Sequence, residues 1–385
     1  MKTHTTEAWV LYRSNGSQAE AAELKKEVFT FSDITAEEVL VEPIYGCWEA
    51  NMTHVLQRWP IDVCQQRRED KVVLGNAGVV RVLKIGSAVT AVKEEDLCIV
   101  FCNSVWDKHG YTLKVLAYDA PNTMGILAKQ AKLPQRCLIP IPAASSHSLE
   151  KWAAFSLRYV TAWANWHVAF NCWRIQMPDV DPSAVHVWGW GGGVTFAELT
   201  FAKAVGCQTA MIASSDPRLQ LIAQTGIHPI DRRQFADLAF DGQKYRIDPS
   251  YRARYLEAEK TFLTLVEAYT EGNGVSIFID NIGLPVLRPT LKSLARQGVI
   301  TTCGWKCGME VSNLRALECI NRHIHVHTHY ARYQEGLEAI KAAEAIDWLA
   351  PLANDKTYQW NEIPQLAEDY AAGRIDSYFP IFQVN

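Results

Sequence analysis

The stretch that most constrains this chain is residues 184–218, AVHVWGWGGGVTFAELTFAKAVGCQTAMIASSDPR. Val185 and Val187 alternate with His186 up to Trp188, and Gly189, Gly191, Gly192 and Gly193 then precede a helical run from Val194 to Val205. A backbone without Cβ atoms turns tightly and approaches a pyrophosphate closely, and the free N–H groups and positive end of the following helix meet the phosphate charge. A second strand, Gln208–Ala213, follows. Strand, glycine turn, helix and strand in that order predict a dinucleotide-binding unit, with Gly189, Gly192, Gly193 and Val194 against the cofactor. Where a third glycine would let helix and strand pack closely the chain has Thr195. Either the helix stands off the sheet or the hydroxyl has a partner of its own.

The end of the second strand bears on which cofactor is held. An acid there would accept the ribose hydroxyls of NAD and repel a 2′-phosphate. Instead the strand ends in Ala213, Ser214 and Ser215, with Arg218 one turn on. Two hydroxyls and a guanidinium suit a phosphate, so NADPH is expected over NADH. Asp216 is read as the N-cap of the next helix, with Pro217 at its first position.

At 385 residues, 48% apolar and 21% charged, the chain has the make-up of a globular protein with room for two domains. A net charge of −4 gives no broad basic field for nucleic acid or an anionic membrane. The polar start MKTHTTEAW and the lack of any apolar run of about 18 residues lead to the expectation of a cytoplasmic protein. Ten cysteines in this setting indicate reduced thiols. Only Cys98/Cys102 and Cys303/Cys307 stand four apart, and no closer run could enclose a structural zinc ion. Thirteen tryptophans offer either a large apolar pocket or an aromatic core.

Residues 1–140 read as short strands with turns: Ala8–Tyr12, Val28–Phe31, Val39–Pro43, Lys71–Leu74, Val79–Ile85, Leu97–Phe101 and Leu138–Ile141. A small β-rich barrel follows from that pattern. From Ser148, apolar residues at helical spacing behind a serine and an acid predict a capped helix. Strands and helices then alternate from 184 to about 302, as a doubly wound parallel sheet requires, with Val275–Asp280 and Gly298–Thr302 as later strands. Residues 236–260 are polar and tyrosine-rich and read as an insertion with one short helix. A histidine-rich stretch and a helix Tyr333–Leu349 follow.

This order resembles the medium-chain dehydrogenase/reductase superfamily over nearly the whole chain. The stretches that carry the resemblance are Trp152-Ala153-Ala154 with Thr161-Ala162-Trp163, Trp188-Gly189 with Gly192-Gly193, Ser214-Ser215 with Arg218, Ile230-Asp231-Arg232, and Ile300-Thr301-Thr302-Cys303 with His329-Tyr330-Ala331-Arg332-Tyr333. Within the superfamily they are more similar to the crotonyl-CoA carboxylase/reductase and enoyl-thioester reductase branch than to the alcohol dehydrogenases. The resemblance implies an α/β protein with a GroES-like barrel domain over residues 1–155, a Rossmann NADP-binding domain over 156–320, and a return to the barrel over 321–385. It adds Thr161, Arg232, Asn281 and Cys303 to the cofactor contacts. An edge-to-edge homodimer is also implied, through the strand around Val299–Thr302 and the neighbouring Ile282–Leu287.

Zinc-dependent members hold their metal with a cysteine in G-x-C-x-x-D and with a G-H-E motif. The matching stretches here are Gly46-Cys47-Trp48-Glu49-Ala50-Asn51 and Gly75-Asn76-Ala77, with Trp48 and Asn76 at the ligand positions. No catalytic metal is expected. His323, His325, His327 and His329, spaced by two, read either as a metal-binding strand face or as the wetter side of a half-buried strand. The resemblance matches His329 to the reductase's active-site histidine.

Without a metal, catalysis must come from positioning and from hydrogen bonds to developing charge. Reduction of an α,β-unsaturated (enoyl) thioester or carbonyl suits this: hydride to the β-carbon, charge on the carbonyl oxygen, a proton to the α-carbon. The substrate is then a small molecule, free or carried as a CoA or carrier-protein thioester. His329 and Tyr118 are donors of suitable type. Tyr118-Asp119 matches an aromatic–acid pair of the carboxylating reductases, and reads equally as a surface turn before Pro121; Asn51 joins the catalytic set from the degenerate zinc motif. The flanking residues 120–124 depart from the carboxylating pattern, which speaks against CO₂ fixation. The rival readings are a zinc-free carbonyl, alcohol or quinone oxidoreductase and a cofactor-binding protein without turnover.

Overall fold

A computed structural model describes residues 2–14, 22–304, 322–327, 329–348, 350–352 and 356–385. Contacts divide the chain into two units: Met1–Val160 with Ala331–Glu344 and Ala350–Asn385, and Thr161–Tyr330 with Ala345–Leu349.

The first unit is built around β3 (Glu38–Cys47), which pairs antiparallel with β5 (Gly78–Ile85), β9 (Ala131–Pro134) and β17 (Ile381–Gln383). Register shifts at Leu40/Val41 and Pro43/Tyr45 mark irregularities in this strand, the local device by which a sheet bends. Beyond β5 lie β6 (Leu97–Val100) and β10 (Leu138–Pro140), while β1 (Thr3–Tyr12) joins β2 (Lys25–Ser32) and β4 (Lys71–Val73). A hairpin of β7 (Asn103–Trp106) and β8 (Thr112–Val115) completes the strands. These are the strands expected from sequence, plus β7, β8 and β9, whose mixed composition hid them. Two short helices, α1 (Ala50–Leu56) and α2 (Val63–Arg67), follow β3. Valines and leucines from the inward faces of the strands form one core with Trp48, Trp360 and Phe382.

The long helix α3 (Leu149–Gln176) begins where Ser148 accepts the Lys151 N–H at 3.4 Å, and runs through the change of unit. Among its tryptophans Trp152 and Trp166 are buried, as are Trp48, Trp188 and Trp190 elsewhere. Core packing, and not a pocket, accounts for these five.

In the second unit every pairing is parallel, in the order β13-β12-β11-β14-β15-β16. The strands are β11 (His186–Trp190), β12 (Gln208–Ala213), β13 (His228–Asp231), β14 (Val275–Asp280), β15 (Leu294–Thr301) and β16 (His325–His327). VSIFID is buried at every position, as a strand covered on both faces must be. The crossovers are α4 (Gly193–Ala204), α5 (Asp216–Gln224), α6 (Gly242–Ile247) with α7 (Pro249–Tyr269), and α8 (Leu284–Ser293). The chain winds outward from β11 to β13 and then returns to β14, so strand order reverses between β11 and β14, where open α/β sheets bind ligands at their carboxyl ends.

Several expectations are corrected here. Residues 236–260 are no loop-like insertion with one short helix: α6 is short, but α7 runs 21 residues and buries Tyr255, Ala258, Phe262 and Val266. Ser215, not Asp216, is the N-cap of α5, and Asp216 is its first residue. β15 is not the sheet edge on which an edge-to-edge pairing was expected, because β16 pairs alongside it. The last helices are α9 (Tyr333–Ala345) and α10 (Ile363–Ala371). Leu349, the expected end of α9, and Cys307, of the Cys303/Cys307 pair, lie outside the described residues.

Candidate functional site

Trp190 ends β11 and the chain reverses at once. Gly191 has φ +153°, and a Cβ there would lie 2.2 Å from Thr195 Oγ1 and 3.0 Å from Asn281 Cβ. A Cβ on Gly189 would meet Thr195 Cγ2 at 2.5 Å. Both glycines are thus required by the protein itself. Gly192 is different: a Cβ there would meet nothing within 4 Å. Nothing among the described residues requires that glycine, so the open space at the N-terminus of α4 fits a ligand that approaches the backbone closely, as a pyrophosphate does.

Thr195 occupies the place of the third glycine, and its hydroxyl has partners. It accepts from Asn281 Nδ2 at 2.9 Å and lies 3.4 Å from the Trp190 carbonyl. Asn281, just past β14, in turn accepts from the Cys303 N–H at 2.9 Å, the Gly304 N–H at 3.1 Å and the Cys303 thiol at 3.5 Å. One amide therefore ties together the carboxyl ends of β11, β14 and β15 and the first turn of α4. Asn281 and the Cys303 main chain order the turn through contacts within the protein. Asp280 accepts from the Ile282 and Gly283 N–H groups and from Thr290 Oγ1, holding the entry of α8.

One turn beyond Thr195, Glu198 is wholly buried, and among the described residues neither carboxyl oxygen has a hydrogen-bond partner. Burial raises its pKa well above the usual carboxylate range, and its charge helps to raise the buried Cys303 thiol. A lone acid in the apolar run GVTFAELTFAKA was a readable signal of this.

At the end of β12, Ser214 is exposed, and Ser215 and Arg218 are half-buried. Arg233 bridges Asp216 and Asp231, at 2.5 and 2.8 Å, which neutralises the two acids nearest this loop. Arg232 begins a short 3-10 turn after β13. A guanidinium-rich strand end with its acids already paired suits an anionic group.

The first unit holds a second polar cluster, at the end of β3. Cys47, Trp48 and Glu49 are buried, and so is Arg158 of α3. Arg158 donates to Cys47 Sγ at 2.9 Å and to the Trp48 carbonyl at 2.7 Å, and its Nε lies 3.1 Å from Glu49 Oε2. Trp48 Nε1 donates to Thr53 at 3.0 Å, and Asn51 Nδ2 to Asn76 Oδ1 at 3.4 Å. Burial raises Glu49 to about 7 although Arg158 opposes the shift.

No family model matches the chain. It is 26% identical over 271 residues to the crotonyl-CoA reductase of Streptomyces avermitilis, covering 68% of this chain and 57% of that protein. With the crotonyl-CoA reductase of Streptomyces collinus it shares 26% over 301 residues, 76% of this chain and 63% of that one. The alignments thus span less than two thirds of either relative. The solved structure of the crotonyl-CoA carboxylase/reductase AntE in complex with NADP superimposes with a TM-score of 0.79 at 20% identity, over 99% of this chain and 95% of that one. The fold is that of the medium-chain dehydrogenase/reductases.

The stretch 46–51, compared with the zinc-binding motif above, is filled by chemistry of another kind. Trp48 and Asn76 offer no metal ligand, and the neighbouring thiol, Cys47, takes a hydrogen bond from a buried guanidinium. A fixed positive charge among these donors does not fit a zinc site. Among the described residues no three His, Cys, Asp or Glu side chains come together as a metal-holding group. The histidine row is shorter than its spacing suggested: His323 lies outside the strand with φ +57°, and β16 begins at His325. His325 pairs with Gln176 at 3.0 Å, and burial beside His329 and His325 lowers His327 to about 4. His329 is half-buried, and its carbonyl accepts from Asn165 Nδ2 at 2.7 Å. Asn165 also donates to the carbonyl of Thr161, so Thr161 and His329 are spaced by one side chain. In the Tyr118-Asp119 pair, the Asp119 carboxylate accepts from the Val115 N–H at 2.6 Å and pairs with Lys114 at 3.5 Å. That acid closes a turn, and Tyr118 packs against the core beside it. Sequence reasoning missed Arg158 and Glu49. Their positions, more than a hundred residues apart, carried no local signal.

Proposed function

We propose that the protein is an NADPH-dependent reductase of α,β-unsaturated (enoyl) thioesters or carbonyls, delivering hydride to the β-carbon and a proton to the α-carbon without zinc. The observation that carries this reading is the open approach at Gly192, in front of the α4 N-terminus, in a chain with 26% identity to crotonyl-CoA reductases. The N–H groups of Gly192, Gly193 and Val194 would hold the pyrophosphate, and Ser214, Ser215, Arg218 and Arg232 the 2′-phosphate. When bound, NADPH supplies the hydride. His329 then donates a hydrogen bond to the carbonyl oxygen as charge collects there. Tyr118 lies in the same proposed set, while Asp119 serves the turn. Asn51, whose Oδ1 is buried without a partner, offers an acceptor to the substrate's acyl or amide portion.

The substrate class that fits is a small enoyl thioester on CoA or a carrier protein. No described helix is long and apolar enough to cross a membrane. A cytoplasmic homodimer completes the reading. The test is to follow NADPH absorbance with crotonyl-CoA, a quinone and an aldehyde. Oxidation with crotonyl-CoA in preference to the others supports it, and preference for the aldehyde or quinone favours a carbonyl or quinone oxidoreductase. Chelation should leave the activity intact, whereas one tightly held zinc per chain by elemental analysis would overturn the metal-free mechanism.

A further inference from the structure

β12 ends in Ala213, Ser214 and Ser215 without an acid, yet the fold returns one to its side. Parallel pairing sets Ala213 opposite Asp231, so the carboxyl end of β13 stands beside the strand end where folds of this kind read the cofactor's ribose. Asp216, the first residue of α5, stands on the other flank of Ser214 and Ser215. Two carboxylates therefore frame a loop whose expected ligand carries a 2′-phosphate, and like charges repel.

Both acids are tied to one side chain. Arg233, from the turn after β13, donates through Nε to the two Asp231 oxygens at 2.9 Å, while Nη2 lies 2.8 Å from Asp231 Oδ2 and 2.5 Å from Asp216 Oδ1. Asp231 also accepts the Arg233 main-chain N–H at 2.9 Å, which fixes the turn from which the guanidinium reaches back. The guanidinium holds the Asp231 carboxyl below the usual carboxylate range, so this acid is ionised near neutrality. Ion pairs this open to water, with Arg233 52% and Asp216 69% exposed, contribute little to stability. The weight of the network falls on local charge instead. Asp216 and Asp231 against Arg218, Arg232 and Arg233 leave one net positive charge at this strand end, and without Arg233 two against two leave none.

We propose that Arg233 determines the preference for NADPH by occupying two carboxylates that would otherwise repel the 2′-phosphate and accept the ribose hydroxyls of NADH; this deepens the cofactor reading above and rests on it. Arg218 and Arg232 attract the phosphate directly. Arg233 acts through Asp216 and Asp231 and is a positioning residue. Its loss alone uncovers an acid next to the place where NAD-dependent enzymes carry theirs.

The test is equilibrium titration of the full-length protein with NADPH and NADH, and with adenosine 2′,5′-bisphosphate and AMP as probes that carry no nicotinamide. Arg233→Gln keeps most of the reach of the side chain and the main-chain hydrogen bond but not the charge. It should weaken NADPH and the bisphosphate by about tenfold or more and leave NADH and AMP within about twofold. Adding Asp216→Asn and Asp231→Asn to Arg233→Gln should return NADPH affinity to within about threefold of wild type, because the offset charges are gone and asparagine at 231 still caps the turn. Arg233→Lys, a cation without the fork, should keep the preference in part. A merely structural role for Arg233 predicts equal loss for all four ligands and no rescue by the asparagines, and that pattern overturns the proposal. So does an Arg233→Gln protein that keeps the wild-type ratio of NADPH to NADH affinity. Failure of the cofactor reading is a separate result, seen in the wild type as equal affinity for the two nucleotides.

Discussion

The glycine turn of the second unit and the Cys47–Glu49–Arg158 cluster of the first are both placed at the ends of strands, but they are made of different material. At the turn the working groups are main-chain N–H groups, and the side chains that matter, Thr195 and Asn281, serve to hold the backbone. In the cluster the working groups are side chains, brought from β3 and α3 around one guanidinium. Backbone sites are suited to binding what all members of a fold bind. Side-chain sites can change their chemistry by a few substitutions.

If that division is right, altering a side chain assigned to chemistry should slow turnover and spare binding. The largest effect is expected from His329→Ala, a loss of 10²–10⁴-fold in kcat, or about 3–5 kcal/mol in the barrier, with NADPH affinity preserved. His325→Ala, whose ring is engaged with Gln176, and His323→Ala, outside the strand, should cost little. Steady-state kinetics on the three variants decide it, and equal losses in all three would remove His329 from the mechanism.

A smaller effect contrasts the two unusual acids. Among the described residues Glu198 has no cation beside it, unlike Glu49. Because burial raises its pKa in the folded chain, the folded state bears no penalty below the ordinary carboxylate range and loses stability as pH rises above it. Glu198→Gln should therefore stabilise the protein by roughly 1–3 kcal/mol at about pH 8, with the gain fading toward about pH 4. Denaturant titrations at the two pH values read this directly. A variant destabilised at both would mean that the carboxylate has a partner the fold conceals.

The smallest effect tests cofactor choice. NADPH should bind at least about tenfold more tightly than NADH, worth about 1.4 kcal/mol, and Arg218→Ala should erase most of that preference while NADH binding stays nearly unchanged. Fluorescence titration with both nucleotides is sufficient. Equal wild-type affinities would refute the phosphate reading of Ser214, Ser215 and Arg218.

The same contrast explains what could be read without coordinates. The order of β11, α4, β12 and β14 was legible because glycine spacing and buried apolar strands are local signals, and Gln208–Ala213 and Val275–Asp280 end where the pattern placed them. The strands β7 and β8 were not, because NSVW and TLKV carry no alternation of apolar residues long enough to register. α7 was concealed by its charge, since the apolar part of its buried face is Tyr255, Ala258, Phe262 and Val266 in a run of Arg, Glu and Lys. The expected open edge at β15 depended on strand order, and the three residues of β16 that cover it were visible in sequence only as histidines. Of the site, the glycines and the serine–arginine loop were legible by composition, whereas Arg158 against Cys47 and Glu49 is a contact across 111 residues that only folding creates.

The most direct measurement of the central claim is the position of the transferred hydrogen. With NADPH deuterated at the transferable position and crotonyl-CoA as acceptor, the product should be the saturated thioester carrying deuterium at the β-carbon. Deuterium on the carbonyl carbon of a product with its double bond intact would contradict the account.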